Sequence, residues 1–546
     1  MLRYLPLGGL GEVGVNMWAL EWEDQVLVVD AGLMFPHEDM LGVDLVIPDV
    51  SYLLEAGRNV LGIFLTHGHE DHVGGLPFVL KRLNVPIYGT RLTLGLVRPK
   101  LKEHRVLREA DLREVRVGDR VQLGPFRVET IAVCHSIPDG VALAIDTPAG
   151  KVVYTSDFKI DPQPPDGRPT DLGRFQRLGD EGVTLLLSDS TNSEREGRSG
   201  SERDLHPAFE DIFENAPGRV VVATFASNIH RIQHVVRLAA AVGRKLAVVG
   251  RSLQNNFKTA QELGFLEVPS GLTVNLERAA DEPRLVLLAA GSQGEPLSAL
   301  ARFAAQRHPV VNVMRGDWVI ISARPIPGNE RLVHQTINNL YRNGARVFYS
   351  DTDHVHVSGH GHRDELRQML DLVRPHYFIP VHGEYRQLVH HAELAQQAGI
   401  PPENVFIVED GQTVEVDARG ARLGDKITAG FVYVDGIGIG DVMQVVLRDR
   451  RRLSQDGILV VTVAVDRDTG SVRAGPELVS RGFMEEDLSA DLLADARQAA
   501  LQGIQRMSGS RPELQLLQES VHDSVLKLIH KRTKRRPMII PVITEL

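Results

Sequence analysis

A strand pattern that recurs with the same ending restricts the fold of this sequence more than any other feature. Gln25–Asp30 (QVLVVD), Leu61–His67 (LGIFLTH), Lys151–Asp157 (KVVYTSD), Val183–Asp189 (VTLLLSD) and His376–His382 (HYFIPVH) are short apolar runs that stop at an Asp or a His. Runs that are apolar on both faces belong to strands covered on both sides, which calls for a layered α/β core. Ligands of such folds gather at strand ends, so the five polar terminators are expected to converge. One Asp after a strand is often only a helix cap. Five terminators of the same form point to a site instead.

The rhythm changes at about Glu202. Arg219–Thr224, a helical pattern near Ile229–Val242, Lys245–Val249, Arg284–Ala289 and Trp318–Ser322 alternate regularly as far as Ala345. Ligand-type residues then resume over Asp353–His382, so this second α/β unit reads as an insertion in the first. Past Gly430, Gly436–Gly440 and the charged run Arg448–Arg452 read as a linker, followed by a strand, Gly457–Val465, and helical patterns near Asp487–Met507 and Glu513–His530. The expected division is 1–201 with 351–445 for the first domain, 202–350 for the insertion, 446–460 for the linker and 461–546 for a small terminal α+β domain. No apolar run approaches the ~18 residues that span a bilayer. The single cysteine, Cys134, excludes an intrachain disulfide framework and any Cys-based zinc site, so a reducing cytoplasm and no membrane are expected. With 61 Lys and Arg against 71 Asp and Glu, the net charge of -10 counts against a protein that coats nucleic acid by bulk attraction.

Histidine is the anomaly. Nine of the 21 lie in four short segments, and the densest is Thr66-His-Gly-His-Glu-Asp-His-Val-Gly-Gly75. His67 and His69 alternate, so on extended chain they point the same way, while Asp71 and His72 follow at a turn and can face a second point. Imidazole and carboxylate together suit zinc, and also manganese or iron. His135, Asp157 and His382 stand at further strand ends. They complete two ligand sets, His67, His69, His135 and Asp157 for one, and Asp71, His72, Asp157 and His382 for the other, with Asp157 shared. Two metals about 3.5–4 Å apart can share a hydroxide and clamp the attacking and leaving oxygens of a phosphoester.

These motifs resemble the metallo-β-lactamase fold. Asp189 in Ser188-Asp-Ser-Thr-Asn192, His360 in Val357-Ser-Gly-His360, and His382 in Val381-His-Gly383 resemble the three motifs of its nucleic-acid-cutting β-CASP branch. Gly8–Gly14, His37–Gly42, Ala223–Arg231, Gly291–Pro296 and Pro325–Glu330 resemble the bacterial ribonuclease J family in particular, over about residues 5–440 and more loosely beyond. Ser156 and Gly361 depart from the pattern, standing where Gly and Ala are expected. The resemblance implies a metallo-β-lactamase αββα sandwich with an inserted β-CASP α/β domain and a small α+β C-terminal domain. It implies two divalent ions per subunit, zinc first, with manganese or magnesium as alternatives. Its expected activity is 5′→3′ exonuclease action on single-stranded, 5′-monophosphorylated RNA, with endonuclease action alongside, in RNA maturation and mRNA decay.

Residue roles follow from the same resemblance. His360 is the expected general acid, Asp189 orients it, and Asp71 joins them as a catalytic residue as well as a ligand. Ser227 and Asn228 on one side, and His356, Ser358, Gly359 and His360 on the other, are expected to hold the substrate 5′ phosphate. A Gly-containing turn and a helix N-terminus both offer backbone N–H groups to an anion. A structural calcium is expected on Asp44 and Asp435. The partners implied are RNA, a second copy of the chain in a homodimer or tetramer, and an RNA degradation complex. Two other classes are set against this: a small-molecule hydrolase of the same fold, which the insertion and His382 disfavour, and a non-catalytic RNA-binding scaffold, which the full set of seven ligands disfavours.

Overall fold

The computed structural model describes every residue except 38, 278–281, 283, 437, 485 and 508–512. Glu38 of the His37–Gly42 stretch and Ile437 of the Gly436–Gly440 run therefore lie outside the described residues. The chain divides into two compact units, Met1–Phe35 with Leu45–Val432, and Pro36–Asp44 with Tyr433–Leu546. No helix among the described residues is long and apolar enough to cross a membrane.

Two sheets stack face to face in the first unit. One has eight strands in the order Gly420–Lys426, Gln412–Asp417, Leu2–Gly8, Met17–Trp22, Gln25–Val29, Asn59–Phe64, Ile87–Gly89 and Leu112–Glu114. The other has six, in the order Tyr377–Val381, Leu185–Asp189, Gly150–Tyr154, Val141–Thr147, Phe126–Ala132 and Arg120–Leu123. Leu20, Leu27 and Phe64 from the first meet Val128, Leu143 and Leu187 from the second in one buried cluster. Tyr154 sets its ring edge against Trp18 across the gap, 5.0 Å between centroids. Helices cover the outer faces: Arg91–Glu103 on one side, and Leu172–Glu181, Arg363–Val373 and Tyr385–Gln397 on the other. The result is an αββα sandwich. Its central strands are buried on both faces, which is why their sequences read as unbroken apolar runs.

The insertion forms a third, wholly parallel sheet in the order Lys245–Val249, Leu285–Ala289, Val220–Ala223, Trp318–Ile321 and Arg346–Tyr349. Val220–Ala223 leads into helix Ile229–Ala241 on one face, and its neighbour Trp318–Ile321 leads toward helix Glu330–Arg342 on the other. Chain that departs in opposite directions from adjacent strands opens a crevice at their C-terminal ends.

The strands stop earlier than the sequence pattern suggests. Asn59–Phe64 and Gly150–Tyr154 each end three residues before the polar terminators His67 and Asp157. The backbone turns into the left-handed region at Asp30 (φ 60°), Ser156 (φ 53°) and His382 (φ 54°), which breaks the ladder. Non-Gly residues occupy that region at a cost and collect at functional sites. It also explains why Gly is expected at position 156: Gly adopts this φ without strain. At Gly361, a Cβ would stand 3.0 Å from the Glu365 Cβ, so the smaller residue fits there.

The second unit contains a three-stranded sheet. Its sheet runs Val472–Arg481, Ile458–Val465, Met538–Glu545, and the helices Glu486–Met507 and Leu514–Thr533 bury Ala496, Ala500, Val521 and Val525 against Leu459, Val461 and Val463. Residues 446–460, expected as a linker, are instead most of helix Gln444–Asp456 and the start of strand Ile458–Val465. Arg, Leu and Gln are good helix formers. Leu447 is buried, while Arg450 pairs with Asp435 at 2.6 Å and Arg451 with Asp39 at 2.8 Å. The charged run is thus held by ion pairs on a helix.

The turn that carries three of the expected ligands is locked to the strand end at Asp30. Ala31 N–H donates to the His72 carbonyl at 2.8 Å, Leu33 N–H to Glu70 at 3.0 Å, and Asn16 N–H to Asp71 at 3.0 Å. There is no room for a side chain at Gly32, whose Cβ would fall on the Asp71 carbonyl oxygen. Gly32→Ala should displace residues 70–72, lowering stability by about 1–3 kcal/mol as overpacking does. Bound divalent metal, measured by elemental analysis, should fall below half the wild-type content. Full metal content in a variant of unchanged melting temperature would contradict this packing.

Candidate metal centre and nuclease site

The three parallel strands Gly150–Tyr154, Leu185–Asp189 and Tyr377–Val381 end side by side, so Asp157, Asp189 and His382 emerge together. His67 and Asp30 come from the facing ends of the other sheet, and His69 and His72 from the turn and short helix Glu70–Val73. Asp157 Oδ2 is the common point. It lies 3.3 Å from His72 Nε2, 3.3 Å from His382 Nε2, 3.5 Å from His67 Nε2 and 3.7 Å from His135 Nε2. Asp71 Oδ2 stands 3.6 Å from His72 Nε2 and 3.8 Å from His382 Nε2, and His69 Nδ1 stands 3.1 Å from His135 Nε2. The ligand atoms of His67, His69, His135 and Asp157 lie within 4.8 Å of one another, and so do those of Asp71, His72, Asp157 and His382.

Each imidazole spends its other nitrogen elsewhere. His72 Nδ1 meets Asp30 Oδ2 at 2.8 Å, His135 Nδ1 the Gly359 carbonyl at 2.7 Å, and His382 Nδ1 meets Asn16 Oδ1 at 2.9 Å. All three partners are acceptors, so Nδ1 carries the proton and the Nε2 lone pair faces the cluster. His67 Nδ1 lies 3.1 Å from Thr66 Oγ1, while His69 is reversed, with Nε2 3.2 Å from Ser136 Oγ. Burial pushes the pKa of His67 and His69 well below the ordinary value and that of His135 down to about 3, keeping all three neutral. Burial opposes ionisation of Asp157, but His382, His72 and His67 outweigh it and hold its pKa well below the usual carboxylate range.

This donor set fits divalent metal ions. Both carboxylate oxygens of Asp157 and His67 Nε2 are buried without a hydrogen-bond partner. A buried carboxylate with no donor is strongly disfavoured unless cations face it. Five imidazoles and two carboxylates are the nitrogen and oxygen donors that zinc and manganese take.

Beside this cluster, His360 Nδ1 lies 2.7 Å from Asp189 Oδ2, and the other Asp189 oxygen accepts the Thr191 N–H at 3.0 Å and hydroxyl at 2.8 Å. Asp189 is therefore fixed on both sides and fixes His360 in turn. Burial lowers the His360 pKa, but Asp189 and then Asp157 and Asp71 outweigh it and raise it to about 9. A bound dication would oppose that rise. The His360 and His135 ring centroids are 4.7 Å apart, so His360 stands at the edge of the candidate metal cluster.

The expected phosphate-holding residues fall into two groups. Asn228 caps helix Ile229–Ala241, its Oδ1 accepting Arg231 N–H at 2.9 Å, and Ser227 precedes it, half-buried. On the other side, Ser358 Oγ accepts from Asn192 Nδ2 at 2.8 Å and from His360 N–H at 3.1 Å. A Cβ on Gly359 would stand 2.7 Å from His135 Cε1, so only Gly lets this loop approach His135 so closely. Burial, then Arg231, pushes the His356 pKa down to about 3, and its Nδ1 is buried without a partner. In the second unit, Asp435 is paired with Arg450 at 2.6 Å, and Asp44 accepts the Gly436 N–H at 2.8 Å. A guanidinium on that carboxylate competes with calcium.

Family models cover most of the chain. The metallo-beta-lactamase superfamily matches residues 10–198, the ribonuclease J beta-CASP domain 217–340, the Zn-dependent metallo-hydrolase RNA specificity domain 350–408, and the ribonuclease J C-terminal domain 445–546. Ribonuclease J2 of Bacillus subtilis is 41% identical over 100% of this chain and 98% of its own length. Ribonuclease J 1 of Streptococcus pyogenes is 41% identical over 98% and 96%, and Ribonuclease J 2 of Staphylococcus aureus 37% over 100% and 98%. The chain belongs to the ribonuclease J family. A solved structure of an Enterococcus faecalis protein of unknown function shares the fold, with a TM-score of 0.53 and 14% identity over 76% of this chain and 99% of that one. The chain is accordingly a metal-dependent ribonuclease whose substrate is RNA.

Sequence reasoning missed Asn16. Its Nδ2 lies 3.1 Å from the Asp71 carbonyl and 3.2 Å from His72 Nε2, while Oδ1 receives His382 Nδ1, so one amide ties together three of the candidate ligands. The signal was present in Gly8–Gly14: a Cβ at Gly9 would collide with Asn16 Oδ1. Gly9 thus leaves room for the Asn16 side chain. If His360 is the proton donor rather than a ligand, His360→Ala should leave both metal ions in place and lower kcat by about 10²–10⁴-fold. Loss of metal together with activity would make His360 a ligand instead.

Proposed function

We propose that this ribonuclease removes nucleotides 5′→3′ from RNA bearing a 5′ monophosphate, and cuts internally as a second activity, in the cytoplasm. One observation carries the reading: the His360–Asp189 pair stands beside a cluster of two candidate metal sites. The loop at Ser358–Gly359 and the N-terminus of helix Ile229–Ala241 are taken as the anion site. Divalent ions, zinc first and manganese as the alternative, would supply electrophilic stabilisation of phosphate charge and activation of water. His67, His69, His135 and Asp157 would hold one, and Asp71, His72, Asp157 and His382 the other.

The residues do the rest. Asp189 keeps the His360 ring turned with Nδ1 toward its own carboxylate, leaving Nε2 to give a proton to the departing 3′ oxygen. Ser227 and Asn228, together with His356 and Ser358, take the terminal phosphate and fix which phosphodiester reaches the cluster. On this reading a 5′ hydroxyl leaves the phosphate site empty, and a 5′ triphosphate brings two further phosphates that the site must accommodate. RNA carrying a 5′ monophosphate should therefore be degraded to mononucleotides at least tenfold faster than the same RNA with a triphosphate or hydroxyl end. Assays with end-labelled RNA under zinc, manganese or magnesium measure this, and equal rates for all three ends would overturn the reading.

A homodimer formed through the second unit is part of the same proposal. The face of its sheet turned away from the helices brings Val460 opposite Val479 and Ile540, and Thr462 opposite Val542. Val479 is 48% exposed, Ile540 39% and Val542 43%. A contiguous apolar face of this kind marks a protein contact. Placing charge there, in the double variant Val479→Glu, Ile540→Glu, should convert a sedimenting dimer to monomer. Unchanged sedimentation would contradict it.

A further inference from the structure

Arg231 is a fully buried arginine in the first turn of helix Ile229–Ala241, and every part of its guanidinium is engaged. Nε and Nη2 donate to the two Glu202 carboxylate oxygens at 2.8 and 2.9 Å. Nη1 points to the Ser322 carbonyl at 3.3 Å, the Ser322 hydroxyl and the Val355 carbonyl at 3.5 Å. Ser322 Oγ also donates to that Val355 carbonyl at 2.7 Å.

These contacts have a topological meaning. Glu202 lies where the chain enters the insertion, Ser322 follows the central strand Trp318–Ile321, and Val355 lies where the chain has returned and precedes His356. Arg231 itself follows the cap residue Asn228, whose side chain accepts its N–H. One guanidinium therefore ties the helix turn that carries Ser227 and Asn228 to the segment that carries His356, Ser358 and His360. Burial works against ionising Glu202, but Arg231 outweighs it and lowers its pKa to about 2, so the pair stays charged. A buried bidentate ion pair is a poor source of net stability but a strict setter of geometry.

We propose that Arg231 is a positioning residue that sets the spacing between the two walls of the 5′-phosphate pocket, acting on Asn228 through its own helix turn and on His356 through Ser322 and Val355. The proposal deepens the 5′-monophosphate reading and rests on it. It assigns to Arg231 no contact with substrate, and it separates recognition of the RNA end from hydrolysis at the metals. Removing the clamp relaxes the pocket while the ligand set stays whole.

Ser322→Ala is the mild test, since it cuts the hydroxyl link between Arg231 and Val355 and leaves the Arg231–Glu202 pair intact. Arg231→Lys is the second, keeping the charge beside Glu202 but not the fork. For each full-length variant and the wild type, kcat/KM is measured on one RNA with a 5′ monophosphate and with a 5′ hydroxyl, alongside metal content. The expected result is a fall of about tenfold in the monophosphate-to-hydroxyl ratio, the size of one lost hydrogen bond to a charged group. It should come mainly through KM on the monophosphate substrate, with hydroxyl-RNA hydrolysis and metal content within twofold of wild type. A ratio unchanged in both variants overturns the proposal, and so does an equal loss on both substrates, which makes the clamp general scaffolding. A wild type without end preference removes the 5′-monophosphate reading and this inference with it, an outcome visible before any variant is compared.

Discussion

The Asp157 carboxylate, facing four imidazole nitrogens with no hydrogen-bond donor of its own, is the constraint on which the rest of the site depends. A buried carboxylate in that position is disfavoured unless positive charge faces it. Burial keeps His67 and His135 neutral, while at His72 and His382 burial is outweighed by the neighbouring carboxylates, Asp157 first, which raise the pKa. Everything around it serves that arrangement. Asp30, the Gly359 carbonyl and Asn16 fix which imidazole nitrogen faces inward, and left-handed residues at Asp30, Ser156 and His382 end the strands so that the side chains can turn to one point.

The two stacked sheets explain why this point exists. Parallel strands of the six-stranded sheet end in line, so their terminal residues share a level, and the facing sheet delivers His67 and the His69–His72 turn from across the core. The insertion leaves the sandwich after the second of these strand ends, near Glu202, and returns ahead of His356 and the third. A parallel sheet with its own crevice is thereby hung beside the metal cluster. A net charge of -10 does not argue against RNA as the substrate, since two divalent ions held by these ligands would supply local positive potential.

How much of this was legible in the sequence depended on how local the signal was. His67, His69, Asp71 and His72 announce themselves because their spacing alone carries the chemistry. Asn16 does not, since its partner His382 lies 366 residues away and an Asn has no motif of its own. The Arg231–Glu202 pair, 29 residues apart, is likewise invisible until the helix and the crossover are brought together. The sequence pattern runs past the strand ends because Asp, Ser and His give no warning of a left-handed turn as Gly would. The charged run at Arg448–Arg452 reads as linker because its helix buries only Leu447, and one apolar anchor makes no periodic stripe.

The central claim is that Asp157 is shared by two divalent ions. Crystals grown with manganese and measured at its absorption edge test it directly. The account predicts two anomalous peaks about 3.5–4 Å apart, one on each side of the Asp157 carboxylate, with His67, His69 and His135 around the first and Asp71, His72 and His382 around the second. A single peak at full occupancy, or two peaks with Asp157 bound to neither, would contradict it.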